Sequence, residues 1–521
     1  MSLTNPHVLW SQLARTALLG TPQSSTPIPD LLGSKLTEGL EPPEKQLLLA
    51  AGTLSLVRKA GYQPLTTTAV RGAAAPAETQ PALGPTGSHH LRLLLSGSMG
   101  ALLPKYLQQL AHSGRRLPFP LLVPVLEYAR THPELRRLVG PVLGQRGQWL
   151  AAQNPDWQTL LAAAPALADY TLWETGTLPQ RILYLEGLRQ QDPGKARELL
   201  TVVLTQEPAK NQAQLLQVLA VNLNPEDASL LEQQLASKSK EVRQAVLPLL
   251  VQLPGSAVVE RLWQRAASLL TLKSTLLGRK LLVTLPEAWD KSWQADGIEQ
   301  KDGRFTGEKA AWLGQLLSIL PPARWAAHWG LTPTKVLELA ASTDWAALLL
   351  SAWREAVLLH RPTDWAVAYL HQQLNHGKMP PLQGPQVAEL LGLAQVSAVL
   401  LEHMPHRPRL SHPAEPWEDL LLSVPGPWPQ ALTAQALRTV ENSLTWSGDT
   451  QHYAQHYRLL QLLQHLQSTI PPEQIATCTP VLTKLREVQP TLTSYIDQLL
   501  TTLHLRQQLA DSLTEPAAPF S

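Results

Sequence analysis

The 521-residue chain has one cysteine, Cys478, and only three phenylalanines. A single thiol excludes an intrachain disulfide framework and any zinc or iron–sulfur site built from several cysteines, and it fits a reducing compartment. Charge of one sign is missing too: 43 Lys and Arg against 41 Asp and Glu leave a net charge of +2. No global field draws such a chain to nucleic acid or to an anionic membrane, so partners must be sought in local patches. No uncharged apolar run reaches the roughly 18 residues that a membrane span needs. The opening stretch MSLTNPHVLWSQLARTALLG lacks a basic segment leading into an apolar core, so no secretory signal is expected. These absences predict a soluble, cytoplasmic protein with no membrane association.

Strand-like alternation of β-branched residues is scarce as well, whereas helical periodicity is nearly everywhere, as in KQLLLAAGTLSLVRKAG (45–61). The 45 prolines mostly fall between periodic segments or at first-turn positions, where the missing N–H costs nothing. They punctuate short helices, and the chain reads as all-α. Its length exceeds the roughly 250–300 residues at which one core stops growing, so several domains or a stacked array are required.

Two stretches, LYLEGLRQQDPGKARELLTVVL (183–204) and SLLEQQLASKSKEVRQAVLPLL (229–250), point to the array. They align without a gap, matching Leu185 to Leu231, Glu186 to Glu232, Arg197 to Arg243 and Leu204 to Leu250. The punctuation predicts helices at about 180–190, 193–206, 209–222, 225–236, 239–253 and 256–270. Helix, turn and helix, repeated, bury a continuous core only by stacking, which predicts a solenoid. Leu200, Leu204, Val246 and Leu250 should face that core, and Arg197 and Arg243 should tie adjacent turns together.

DPGKAR and SKEVRQAVLPLL resemble the HEAT-repeat signature, in which a short turn precedes a Val-Arg at the start of the second helix. The stretches LLGTPQ (18–23), APAETQP (75–81), PVLGQRGQWLAAQNPDW (141–157), LRQQDPGKARELL (188–200), SKEVRQAVLPLLVQLPGS (239–256) and GEKAAWLGQLLSILPPARW (307–325) resemble an uncharacterised bacterial family, a domain of unknown function. That resemblance implies a HEAT-like α-solenoid of stacked helical hairpins. It also implies an adaptor encoded beside a SWIM zinc-finger protein, a MoxR-type AAA ATPase and a von Willebrand A-domain protein. The expected organisation is an N-terminal helical segment over 1–62, a flexible linker or loop over 63–88 and a HEAT-like helical domain over 89–289. A loop over 290–309, a helical region over 310–402, a loop over 403–417, a C-terminal helical region over 418–511 and a tail over 512–521 follow.

The densest motif is RTHPELRRLVGPVLGQRGQWLAAQNPDW (130–157). Arg130, Arg136, Arg137 and Arg146 outnumber the acids there, Gly144 and Gly147 allow a tight corner, Asn154 suits a helix cap, and Trp149 and Trp157 supply large apolar area. As a site, the four arginines and two tryptophans predict a recognition surface for a protein partner with an acidic face. As plain structure, they are a packed corner with solvated arginines.

Other motifs favour packing over chemistry. Trp345 and Trp365 each follow a Thr-Asp helix start. His452 and His456 have the i, i+4 spacing of a zinc pair but no His-Glu-x-x-His and no third ligand, so neither metal nor cofactor is expected. LSGSMGALLPKYL (95–107) has no nucleophile elbow or phosphate loop, and no pair of acids stands out as general acid and base. The chain therefore reads as a non-enzymatic scaffold or adaptor. The competing reading is a HEAT-like nucleic-acid binder or DNA glycosylase-type enzyme, against which the near-neutral charge weighs.

Overall fold

The computed structural model describes residues 6–23, 41–60, 74–97, 99–161, 170–276, 278–376, 379–443 and 452–516. They divide into two compact units, Met1–Ala74 and Ala75–Ser521. In the first, the helices Pro6–Leu19 and Pro43–Ala60 bury Leu13, Ala50 and Leu54 against each other. Arg58 lies over the Trp10 ring at 5.0 Å.

In the second unit the predicted helices of the repeat region appear as Leu178–Gln191, Pro193–Leu204, Ala209–Gln217, Ala228–Leu235, Lys240–Leu250 and Ala257–Ala266. Local chemistry sets their starts. Asp192 accepts from the Lys195 N–H at 3.0 Å, Asn224 from Glu226 at 3.1 Å and Ser239 from Val242 at 3.4 Å, each satisfying a first-turn donor. Leu185, Leu200, Leu231, Val246 and Leu250 have no exposed surface, and Leu204 almost none, so the two aligned stretches bury the same positions. Arg197 bonds to Asp227 at 2.7 Å and Glu226 at 2.5 Å. Arg243 donates to Glu299 and to the carbonyls of Ser237 and Lys238.

Four expectations need correction. The residues after Ala266 form an antiparallel hairpin, β1 (Leu270–Thr275) and β2 (Gly278–Val283), where only helix was expected. Its leucines masked it: Leu270, Leu272, Leu281 and Val283 share one face in this register, but a Leu-rich run reads equally as helix. Of the expected linker 63–88, residues 63–73 lie outside the described residues, and the remainder is built into the fold. Leu83 is buried, the Leu83 N–H donates to Arg116 O and the Arg116 N–H to Pro81 O, both at 2.9 Å, and a helix begins at Pro85. An extended strap needs only one apolar anchor, too little to register as periodicity. The tail expected from 512 instead finishes a helix, Thr493–Thr514, whose Ser512 is buried; residues 517–521 lie outside the described residues. The loop expected over 290–309 holds one short helix, Lys291–Ala295.

Among the described residues the second unit has two hydrophobic cores. One runs from Trp173 to Leu503; the other gathers Leu83 to Leu160 together with Leu509. The Thr493–Thr514 helix enters both, with Leu499 and Leu503 in the first and Leu509 in the second. Tyr106 Oη lies 2.9 Å from Ser512 Oγ, and Thr86 bonds through its N–H and hydroxyl to Glu515. The unit's last helix therefore packs on its first, a contact that a solenoid touching only sequence neighbours would lack. Trp353 and Trp365 are fully buried and meet edge to face at 5.8 Å, which accounts for the second Thr-Asp-Trp start by packing. Among the described residues no helix is long and apolar enough to cross a membrane.

Candidate functional site

The arginine-rich segment folds as a chain of short turns. The Phe119–Thr131 helix ends at His132, single helical turns cover Pro133–Leu135, Arg136–Val139 and Gly140–Val142, and the Gly144–Gln153 helix follows. Gly144 is required here. Its φ is +65°, and a Cβ would lie 2.5 Å from Glu78 Oε2 and 2.7 Å from Arg116 Cδ. Asn154 caps the next helix as expected, accepting from the Asp156 N–H at 3.0 Å.

The corner is held from outside by an acid the segment does not contain. Glu78, on the strap, accepts from the N–H groups of Gln145 at 2.9 Å and Arg146 at 3.0 Å. A carboxylate thus sits on the open N-terminus of the Gly144–Gln153 helix, where unpaired N–H groups and the helix dipole favour negative charge. Arg116 stands 3.5 Å from the same carboxylate, almost fully buried, and donates to Gln80 O and Leu117 O, each at 3.1 Å. Burial draws the Arg116 guanidinium below the ordinary arginine range, and Glu78 opposes that shift. Two guanidiniums lie over the Phe119 ring, Arg116 at 4.4 Å and Arg146 at 4.0 Å from its centre. The strap, Arg116, Phe119 and Arg146 line a cleft of about 470 Å³.

The six predicted residues occupy three settings. Arg130 and Trp157 meet on Glu127: Arg130 Nε donates to Oε2 and Trp157 Nε1 to Oε1, both at 3.0 Å. Trp157 is buried and Trp149 half-buried. Arg146 belongs to the Phe119 cleft. Arg136 and Arg137 are exposed side by side, and Arg137, with 79% of its side chain accessible, reaches Glu186 only at 3.9 Å. An exposed pair of that length contributes little to stability.

Sequence reading missed Glu78, Arg116, Phe119 and Glu127. One signal was available, since Glu78 is the only acid in 63–88. A larger cleft, about 770 Å³, lies where the His452–Thr469 helix faces Lys105 and Arg506. Its cations are already engaged: Arg506 donates to Gln467 O and Ile470 O at 2.7 Å, and Lys105 to Ser468 O at 3.3 Å, all near the carbonyl end of that helix.

The side chain of His452 lies outside the described residues; His465, further along the same helix, is already engaged. His465 Nε2–H donates to Val424 O at 2.7 Å, with its ring against Trp428. Among the described residues no three His, Cys, Asp or Glu side chains group as metal ligands. No curated protein and no solved structure matches the sequence. A family model described as a family of unknown function, DUF5691, matches residues 12–513, and the chain belongs to that family.

Proposed function

We propose that this protein is a non-enzymatic interaction scaffold of a bacterial cytoplasm, a HEAT-like stack of helical hairpins that recognises an acidic face on a protein partner through its arginine corner. The observation that carries this reading is the pairing of rigidity with free charge. Arg136 and Arg137 are both exposed, the only ion pair either makes among the described residues is Arg137 to Glu186 at 3.9 Å, and the turns that carry them are fixed by Glu78 on one side and the Glu127–Trp157 hydrogen bond on the other. Preorganised arginines bind carboxylates with little ordering cost. The AAA ATPase and von Willebrand A-domain proteins implied by the family resemblance are the first partners to test.

The experiment compares wild type with an Arg136→Glu, Arg137→Glu variant as bait in crosslinked capture from native cells, followed by calorimetry on the recovered partner. Loss of that partner in a variant with unchanged thermal stability, and weakening of the wild-type contact by added salt, are expected. Full affinity of the variant at low salt would reduce the patch to a solvated face.

A further inference from the structure

The β1–β2 hairpin contains three cations, Lys273, Arg279 and Lys280, and no acid from Leu270 to Val283. Lys273 and Lys280 are direct cross-strand partners. Like charges placed opposite each other destabilise a hairpin, and among the described residues none of the three cations forms an ion pair that would relieve them. All three are exposed. An arrangement of like charges with no ion pair among the described residues to relieve it points to an anion outside the fold.

The order of residues along the hairpin says what kind. Its base is anchored, with Leu270 and Leu281 buried in the large core and β2 against the Pro333–Ala341 helix. The cations form a collar further out, and Leu276, at the end of the described part of the first arm, is fully exposed. Register places Lys273 and Lys280 on one face of the ribbon and Arg279, opposite Ser274, on the other. A ribbon lying in a nucleic-acid groove would carry its charges along a face. A collar on both faces below an apolar tip suits a planar array of anions met end on. From Lys273 to Leu276 is three residues, about 10 Å, comparable to the depth at which apolar groups of interfacial proteins sit below lipid phosphates.

We infer that this hairpin is a contact for the surface of an anionic phospholipid bilayer, with Leu276 entering the acyl boundary and Lys273, Arg279 and Lys280 meeting the headgroups. This goes beyond the partner reading of the arginine corner and uses none of its residues. The full-length protein is tested by co-sedimentation with phosphatidylserine–phosphatidylcholine vesicles, with pure phosphatidylcholine vesicles and duplex DNA as alternatives. Binding should require the anionic lipid and fall with salt. A Lys273→Glu, Lys280→Glu variant should bind at least about thirtyfold less, from roughly fivefold for each cation lost before the added repulsion of the two carboxylates. Cys478 is fully buried, so a Leu276→Cys variant takes an environment-sensitive label at one place. Its emission should shift to the blue on anionic vesicles alone. No binding to anionic vesicles, equal binding to neutral ones, or a label that responds to DNA instead would each overturn the inference. The reversed variant must match wild type in circular dichroism and melting, and the label reports contact independently of it.

Discussion

Arg189 and Asp227 form a two-pronged ion pair with no solvent contact, Nη1 to Oδ1 at 3.0 Å and Nη2 to Oδ2 at 2.7 Å. Each is otherwise satisfied. Arg189 also donates to the carbonyls of Pro193, Leu219, Val221 and Asn222, and Asp227 accepts from Arg197 and the Asn224 N–H. The pair therefore joins the Leu178–Gln191 helix to the turn that starts the next pair of helices.

Removing one partner of a buried pair leaves the other charge stranded, which costs about 3–5 kcal/mol. Asp227→Ala should cause a loss of that order, seen as a lower urea midpoint. Arg243→Ala strands Glu299, whose side chain keeps 12% of its surface in contact with solvent where Asp227 keeps none, and should lose less, about 1.5–3 kcal/mol. Equal losses would show that the pair is not a special clamp.

The difference between these two arginines explains much of what the sequence made legible. Helix starts at Asp192, Asn224 and Ser239 are local events: a side chain three residues or fewer from the N–H it satisfies leaves a readable signature. Arg197 and Arg243 stood out because the two stretches repeat. Arg189 pairs with a residue 38 positions away, and nothing in its neighbourhood separates it from a solvated helical arginine. The same holds at the corner. Arg136 and Arg137 could be expected at the surface, but Arg146 is organised by Phe119 and by a strap 68 residues upstream, and long-range contacts have no period.

The strap itself is testable. Glu78→Ala removes the acceptor for two N–H groups and the counter-charge of Arg116, and should destabilise the unit by about 1–3 kcal/mol. The more specific expectation is local: limited proteolysis should cut near residues 75–81 in the variant before wild type is touched. An unchanged cleavage pattern would mean that Leu83 and the backbone bonds to Arg116 hold the strap without its carboxylate.

Acid should weaken the fold through two histidines. His360 Nε2–H donates to Ile319 O at 2.6 Å and His465 Nε2–H to Val424 O at 2.7 Å, and burial holds both below the ordinary histidine value near 6.5, the carbonyl bond opposing it in each case. A depressed folded-state pKa means that the unfolded chain binds more protons as pH falls below about 6.5, so stability is present above that value and declines beneath it. Melting temperature should fall between pH 7 and pH 5, and a His360→Gln, His465→Gln variant should show a shallower slope. A slope identical to wild type would assign the acid sensitivity to other groups.

The last prediction concerns the helix shared by the two cores. Leu509 is buried among residues of the Leu83–Leu160 core, three residues beyond Arg506, which caps the His452–Thr469 helix beside the other core. Leu509→Ala should cost about 2–5 kcal/mol, the usual range for a buried leucine. Because the helix continues to Ser512 and its contact with Tyr106, the loss should spread into the helices Leu103–His112 and Phe119–Thr131, far away in sequence. Hydrogen exchange read by mass spectrometry should show faster exchange in those two helices and in the C-terminal helix, with Lys240–Leu250 unchanged. Tyr106 provides a second readout. Burial pushes its hydroxyl up to about 12, with the Ser512 bond acting in the opposite direction. A raised folded-state pKa contributes stability that is complete below about 10 and is lost as pH rises toward 12. Loosening the helix should bring Tyr106 ionisation back toward 10, visible as added phenolate absorbance in the variant at pH 11. If exchange quickens only in the final turns of the C-terminal helix and the tyrosine titration does not move, the helix is an appendage to the second core, and the two cores hold independently of it.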